Sequence, residues 1–157
     1  MHIAVIDDGV NPSIFPCIGQ LLFDKTVNER GKVVSRHGKI AGLHGTIVAA
    51  IIKTYTDSAQ IGSIKIIDDE TFQGRASHLI AALQWCGENG IDIIHMSLGV
   101  QALCDEPGIS DCIANLVANG TILVAALANN MRYTIPACLP GVFGVKAASH
   151  LDGDQYE

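Results

Sequence analysis

Several things are scarce in this chain of 157 residues. Charged side chains make up only 17%, and 10 Lys and Arg are outnumbered by 16 Asp and Glu, for a net charge of −6. No basic cluster interrupts that acidic balance, which argues against a nucleic-acid-binding surface. No apolar run approaches the roughly 20 residues that a membrane-spanning helix requires, so no membrane span is expected. The opening residues MHIAVIDDG enter a strand-like pattern at once, without the basic segment and cleavage site of a secretory signal. None of the five cysteines forms a C-x-x-C pair, so neither a zinc site nor any other metal or cofactor is expected. The simplest reading is reduced thiols in a cytoplasmic protein, with Cys104 and Cys112 able to pair under oxidation. Internal repeats and low-complexity segments are also missing.

Apolar residues are plentiful, at 48%. A chain of this length reads as one domain over 1–157, able to bury roughly two thirds of its unfolded surface. Strand-like runs occur at His2–Asp7, weakly at Gln20–Asp24, and at Gln60–Ile67, Ile91–Ser97, Thr121–Leu127 and Val142–Ala147. Most are continuous rather than alternating, the pattern of strands covered on both faces. Helical periodicity falls between them. Ile47, Val48, Ile51 and Ile52 share one face of a first helix; Ala76, Leu79, Ile80, Leu83 and Cys86 follow the helical period in a second. Ile109, Cys112, Ile113, Leu116 and Val117 do so in a third, with Pro107 suited to its first turn. The sequences GENG and NG stop the last two. This alternation predicts an α/β fold with a mainly parallel sheet between helical layers, and a surface loop over 26–42 that has room for a short hairpin.

In such sheets ligands gather at the carboxyl ends of the strands. Asp7 and Asp8 end the first strand, His44 opens the first helix, Ser97, Leu98 and Gly99 follow the fourth run, and Asn129 and Asn130 follow the fifth. A carboxylate at a strand end can fix the tautomer and orientation of an imidazole. An asparagine amide can donate to a developing oxyanion, and a strand ending in Ser-Leu-Gly can offer its backbone to an extended peptide.

The segments IAVIDDGVN, HGTIVAAII, DIIHMSLG and ILVAALANN, in that order, resemble the aspartate, histidine, substrate-binding-strand and oxyanion-asparagine motifs of subtilisin-like serine proteases. The resemblance runs from residue 2 to about residue 150. It implies an α/β/α three-layer, subtilisin-like but incomplete domain acting on a peptide or protein substrate. Asp7 would orient the ring, His44 would be the general base and Asn129 the oxyanion donor, with Asn130 the alternative. Ser97, Leu98 and Gly99 would form one wall of the peptide cleft.

The sequence departs from the family pattern at several places. Asp8 stands where the family usually has Ser or Thr, and reads as a solvated turn residue. Ile47 replaces a second histidine, His95 replaces an asparagine, and Ala128 replaces a glycine. The family's Gly-Thr-Ser nucleophile motif has no match, and neither does its inhibitory pro-segment. A serine endopeptidase domain truncated on its C-terminal side, inactive alone, is therefore expected. A complementary chain or a homo-oligomer formed through an open sheet edge is the expected partner. A pseudoprotease or peptide-binding module is the alternative. A phosphorylation receiver domain, whose openings MHIAVIDD also resembles, is a remote one that would need Asp68 and Lys146. Among the other residues, His37 lacks a following apolar helix, His95 is expected near the cleft, and Trp85 is expected to pack.

Overall fold

The structure, a computed structural model, describes residues 1–40, 42–99, 106–128 and 133–148. Along these residues run β1 (His2–Asp7), β2 (Asp24–Val27), β3 (Val33–Ser35), α1 (His44–Tyr55), β4 (Gln60–Lys65), α2 (Ala76–Glu88), β5 (Ile93–Met96), α3 (Glu106–Ala118), β6 (Ile122–Ala126) and β7 (Val142–Val145). The strands form one sheet in the order β3-β2-β4-β1-β5-β6-β7. Every pairing is parallel except the β2–β3 hairpin. Among the described residues no helix is long and apolar enough to cross a membrane.

Because successive strand residues point to opposite faces, the continuous apolar runs feed two cores. Ala4, Ile6, Ile64, Ile94, Met96, Leu123 and Ala125 meet Leu79 and Leu83 of α2 and Ile109 and Ile113 of α3. Ile3, Val5 and Ile61 meet Ala49 of α1 on the other face. The three layers expected from the strand–helix alternation are thus present. Burying a residue such as Leu83 or Ile94 contributes about 1.5–3 kcal/mol each, so the larger cluster carries most of the stability. The stop signals act as expected. Asn89 N–H donates to the carbonyls of Trp85 and Cys86, and Gly120 N–H donates to that of Val117.

Two expectations are corrected. The weak strand placed at Gln20–Asp24 begins only at Asp24, as β2. Leu22 N–H and Phe23 C=O already bond to Ile61 and Ser63 of β4, while the Phe23 ring turns to pack edge-on against Trp85, centroids 4.7 Å apart. The apolar character of that run therefore reflects Phe23 packing as much as strand pairing. The polar 26–42 stretch holds the turn and return strand of the β2–β3 hairpin. The second correction concerns α1. Ile47 and Ile51 are exposed, and the fully buried positions are Gly45, Thr46 and Ala49. Small residues let this helix approach the sheet closely, whereas the apolar spacing pointed to the branched ones.

Candidate active site

β1 delivers two carboxylates to one rim of the sheet. Asp7 is its last residue and Asp8 the first beyond it, and both are buried. On the adjacent strand β5, Met96 pairs in register with Ile6, so Asp7 and Ser97 each sit one residue past the last pair. Odd-numbered residues of β1 face α1, and Asp7 follows that rule.

His44 is the first residue of α1. Its Nδ1 lies 2.9 Å from Asp7 Oδ2 and 3.0 Å from Asp7 Oδ1. An ionised carboxylate only accepts, so Nδ1 carries a proton, and the neutral ring in that tautomer keeps its lone pair on Nε2. The two partners differ sharply in exposure: 58% of the His44 side chain is open to solvent against 1% for Asp7. The carboxylate is sealed and the ring remains reachable. Burial raises the Asp7 carboxyl above its ordinary value, opposed by the hydrogen bond from His44 and by Asp8 N–H, which donates to Asp7 Oδ1 over 2.8 Å.

Asp8 is not the solvated turn residue that its place beside a glycine suggests; it is 8% exposed. Its Oδ2 accepts from His44 N–H at 3.1 Å and its Oδ1 from Gly45 N–H at 2.7 Å. The glycines around it make room. A Cβ on Gly42 would lie 1.9 Å from Asp8 Oδ2, and one on Gly45 would lie 2.7 Å from the Gly9 carbonyl oxygen. Thr46 adds another link, its Oγ1 accepting from Asn11 N–H at 3.0 Å. Sequence reasoning missed Asp8 and Thr46 because their partners lie 36 and 37 positions away for Asp8 and 35 for Thr46, and no local pattern encodes such contacts.

Ser97 and Leu98 are half-buried and Gly99 is exposed. Leu98 packs against the larger core, and Gly99 lies close to Thr134, a Cβ there falling 3.1 Å from its Cγ2. His95, one turn of the pleat before Ser97, lines a cavity of about 320 Å³ together with Ser97, Val124 and Leu127. Its Nδ1 is buried with no hydrogen-bond partner among the described residues. Burial, and secondarily the neighbouring His44, lowers the basicity of its ring. Asn129 and Asn130 lie outside the described residues. The residue before them is anchored, Ala128 N–H donating to Thr134 Oγ1 at 3.2 Å.

The other singled-out positions fall elsewhere. His37 is exposed. Asp68 lies in an exposed turn, where its carboxylate accepts from the backbone of Glu70 and Thr71. Cys104 is outside the described residues, and Cys112 is a buried free thiol. Among the described residues no group of three or more His, Cys, Asp or Glu is placed to hold a metal ion.

The sheet order and the helices flanking it define a subtilisin-like fold. Solved structures that match include Sphericase, at 23% identity and a TM-score of 0.79 over 98% of this chain and 55% of that one. A lanthipeptide protease matches at 16% identity and a TM-score of 0.76, covering 92% of this chain and 47% of its own. The prenylagaramide maturation protease PagA matches at 25% identity and a TM-score of 0.66, covering 92% and 52%. The chain thus spans about half the length of these proteins, 47–55%. No curated protein matches the sequence. The model of the subtilase family matches residues 1–156, and the chain belongs to that family.

Proposed function

We propose that Asp7 and His44 are the orienting carboxylate and the general base of a serine endopeptidase active site whose nucleophilic hydroxyl comes from outside these 157 residues. In this reading Asp7 orients the ring. His44 Nε2 takes the proton from the attacking hydroxyl and later returns it to the leaving amine. Ser97, Leu98 and Gly99 form one wall of the cleft for an extended peptide or protein substrate, and the Asn129 amide donates to the oxyanion. Residues 1–157 contribute to a single domain of this kind, without cofactor, in a cytoplasmic setting that the free thiols of Cys17, Cys86, Cys112 and Cys138 support. The observation that carries the proposal is the contact of both Asp7 oxygens with Nδ1 of a ring that is itself open to solvent.

The sequence holds no Gly-Thr-Ser segment, so the 157 residues alone are expected to be inactive. A fluorophosphonate probe tests this reading. Covalent labelling that requires both this chain and a polypeptide carrying a Gly-Thr-Ser segment supports it; no labelling in any combination counts against it.

A second reading, a pseudoprotease that holds an extended peptide without cutting it, is favoured by the missing nucleophile and by the exposed Phe143 and Val145 on β7, the last strand in the sheet order. Such an edge can pair with another chain. Light scattering of the purified chain and titration with a fluorescent extended peptide check it. A strict monomer without peptide affinity would argue against this second reading.

A further inference from the structure

We infer that Asp8 is a positioning residue for His44: a buried carboxylate that clamps the start of α1 to the end of β1 and so aims the imidazole at Asp7. This assignment rests on the reading of His44 as the general base and adds to it the group that holds the base in place.

The helix start needs such a group. The first N–H groups of a helix have no partner within it, and a side-chain oxygen of the residue just before the helix commonly supplies one. Here that residue is Leu43, which has no side-chain acceptor and makes no side-chain cap bond. Asp8 supplies the bonds from another element. Its two oxygens are divided between His44 N–H at 3.1 Å and Gly45 N–H at 2.7 Å. A negative charge is favourable at this end of a helix. The fit is close, since the Cβ missing from Gly42 would fall 1.9 Å from the carboxylate.

The two neighbouring acids therefore hold the same histidine by different parts. Asp7 takes the ring at Nδ1, and Asp8 takes the backbone N–H of that residue and of the next. Asp8 N–H also donates to Asp7 Oδ1 at 2.8 Å, linking the two acceptors. The imidazole hangs from a backbone that Asp8 fixes, so removing the Asp8 carboxylate frees the ring to leave Asp7 even though Asp7 is unchanged.

The test uses the full chain and nuclear magnetic resonance, with Asp8→Ala, Asp8→Asn and Asp7→Asn compared with the parent. The readouts are the ring Nδ1–H resonance of His44 and the exchange protection of the His44 and Gly45 amides. In Asp8→Ala both amides should exchange about tenfold faster or more, the scale set by losing one hydrogen bond, and the ring proton should broaden or vanish. Asp8→Asn keeps one acceptor oxygen, so it should protect one of the two amides and restore part of the ring signal. Asp7→Asn should change the ring signal and leave both amides protected. An Asp8→Ala ring proton unchanged in position and intensity would overturn the inference. If Asp8→Ala does not fold, Asp8→Asn decides: both amides protected and the ring signal untouched would overturn it equally. No readout depends on hydrolysis. Absence of fluorophosphonate labelling counts against the proposed endopeptidase and leaves these outcomes as they stand.

Discussion

On β6, Leu123 faces α2 and α3 and is fully buried, while its neighbour Ile122 on the opposite face is 47% exposed. The same division runs across the sheet. The side toward α2 and α3 gathers a continuous apolar core from β1, β4, β5 and β6, including Ile6, Ile64, Met96 and Ala125. The side toward α1 is apolar over β1 and β4 but carries polar or ionisable groups at Asp7, Ser63 and His95, and it leaves Ile122, Phe143 and Val145 exposed. Stability and candidate chemistry are thus segregated by the period of two that governs strands. A continuous apolar core on one side stands opposite a side that holds a buried carboxylate.

The comparison breaks most visibly on core substitution. Leu83→Ala should destabilise the fold by about 2–5 kcal/mol in urea denaturation, whereas Phe143→Ala, on the exposed side of β7, should stay within about 0.5 kcal/mol. Equal losses would mean that the two faces are not distinct.

A smaller effect concerns pH. Because burial raises the Asp7 carboxyl, the folded state holds that proton more tightly than the unfolded chain. The contribution of Asp7 favours folding below the unfolded value and is lost as pH rises through the raised folded one. Asp7→Asn cannot ionise, so its stability relative to the parent should increase between about pH 4 and neutrality. A difference that stays flat over that window, measured by thermal melts, would contradict the burial cost.

His95 acts in the opposite direction. Its lowered basicity means that the neutral ring is favoured in the folded state. That stability is present above the unfolded value and lost as pH falls below about 6.5. His95→Asn should flatten the mildly acidic side of the melting profile; an unchanged slope would place the acid sensitivity elsewhere.

The least perturbing probe is alkylation. Cys17 and Cys138 are exposed, whereas Cys86 is fully buried in the apolar core and its thiol is pushed up to about 12. Iodoacetamide should modify the first two in the native state and spare Cys86 until the protein is unfolded, as peptide mass mapping would show. Rapid native modification of Cys86 would mean that the α2 side opens easily.

Much of the layered fold was legible because a parallel sheet covered on both faces writes itself as continuous apolar runs, such as Ile3 to Ile6 and Ile122 to Ala126. Helix boundaries at Glu88 and Ala118 were legible because glycine follows each closely. Less legible was the packed side of α1. Ile47 and Ile51 obey the helical period, yet Gly45, Thr46 and Ala49 make the close approach, and small residues give no hydrophobic signal. The candidate site was visible as motifs in order. Asp7 Oδ2 lies 2.9 Å from His44 Nδ1, and Asn129 lies outside the described residues. The work of Asp8 was hidden because a cap supplied from another element has no fixed sequence spacing.

The place of β1 in the sheet has a consequence for the newly made chain. Ile3 lies between Ile61 of β4 and Ile93 of β5, so β1, which precedes both in the chain, lacks these two sheet neighbours until the later segments have left the ribosome. Until then an apolar ribbon ending in two acids stays unpaired, exposed to whatever binds nascent chains. The carboxylates at the end of β1 thus gain their full sheet surroundings only when β4 and β5 flank that strand.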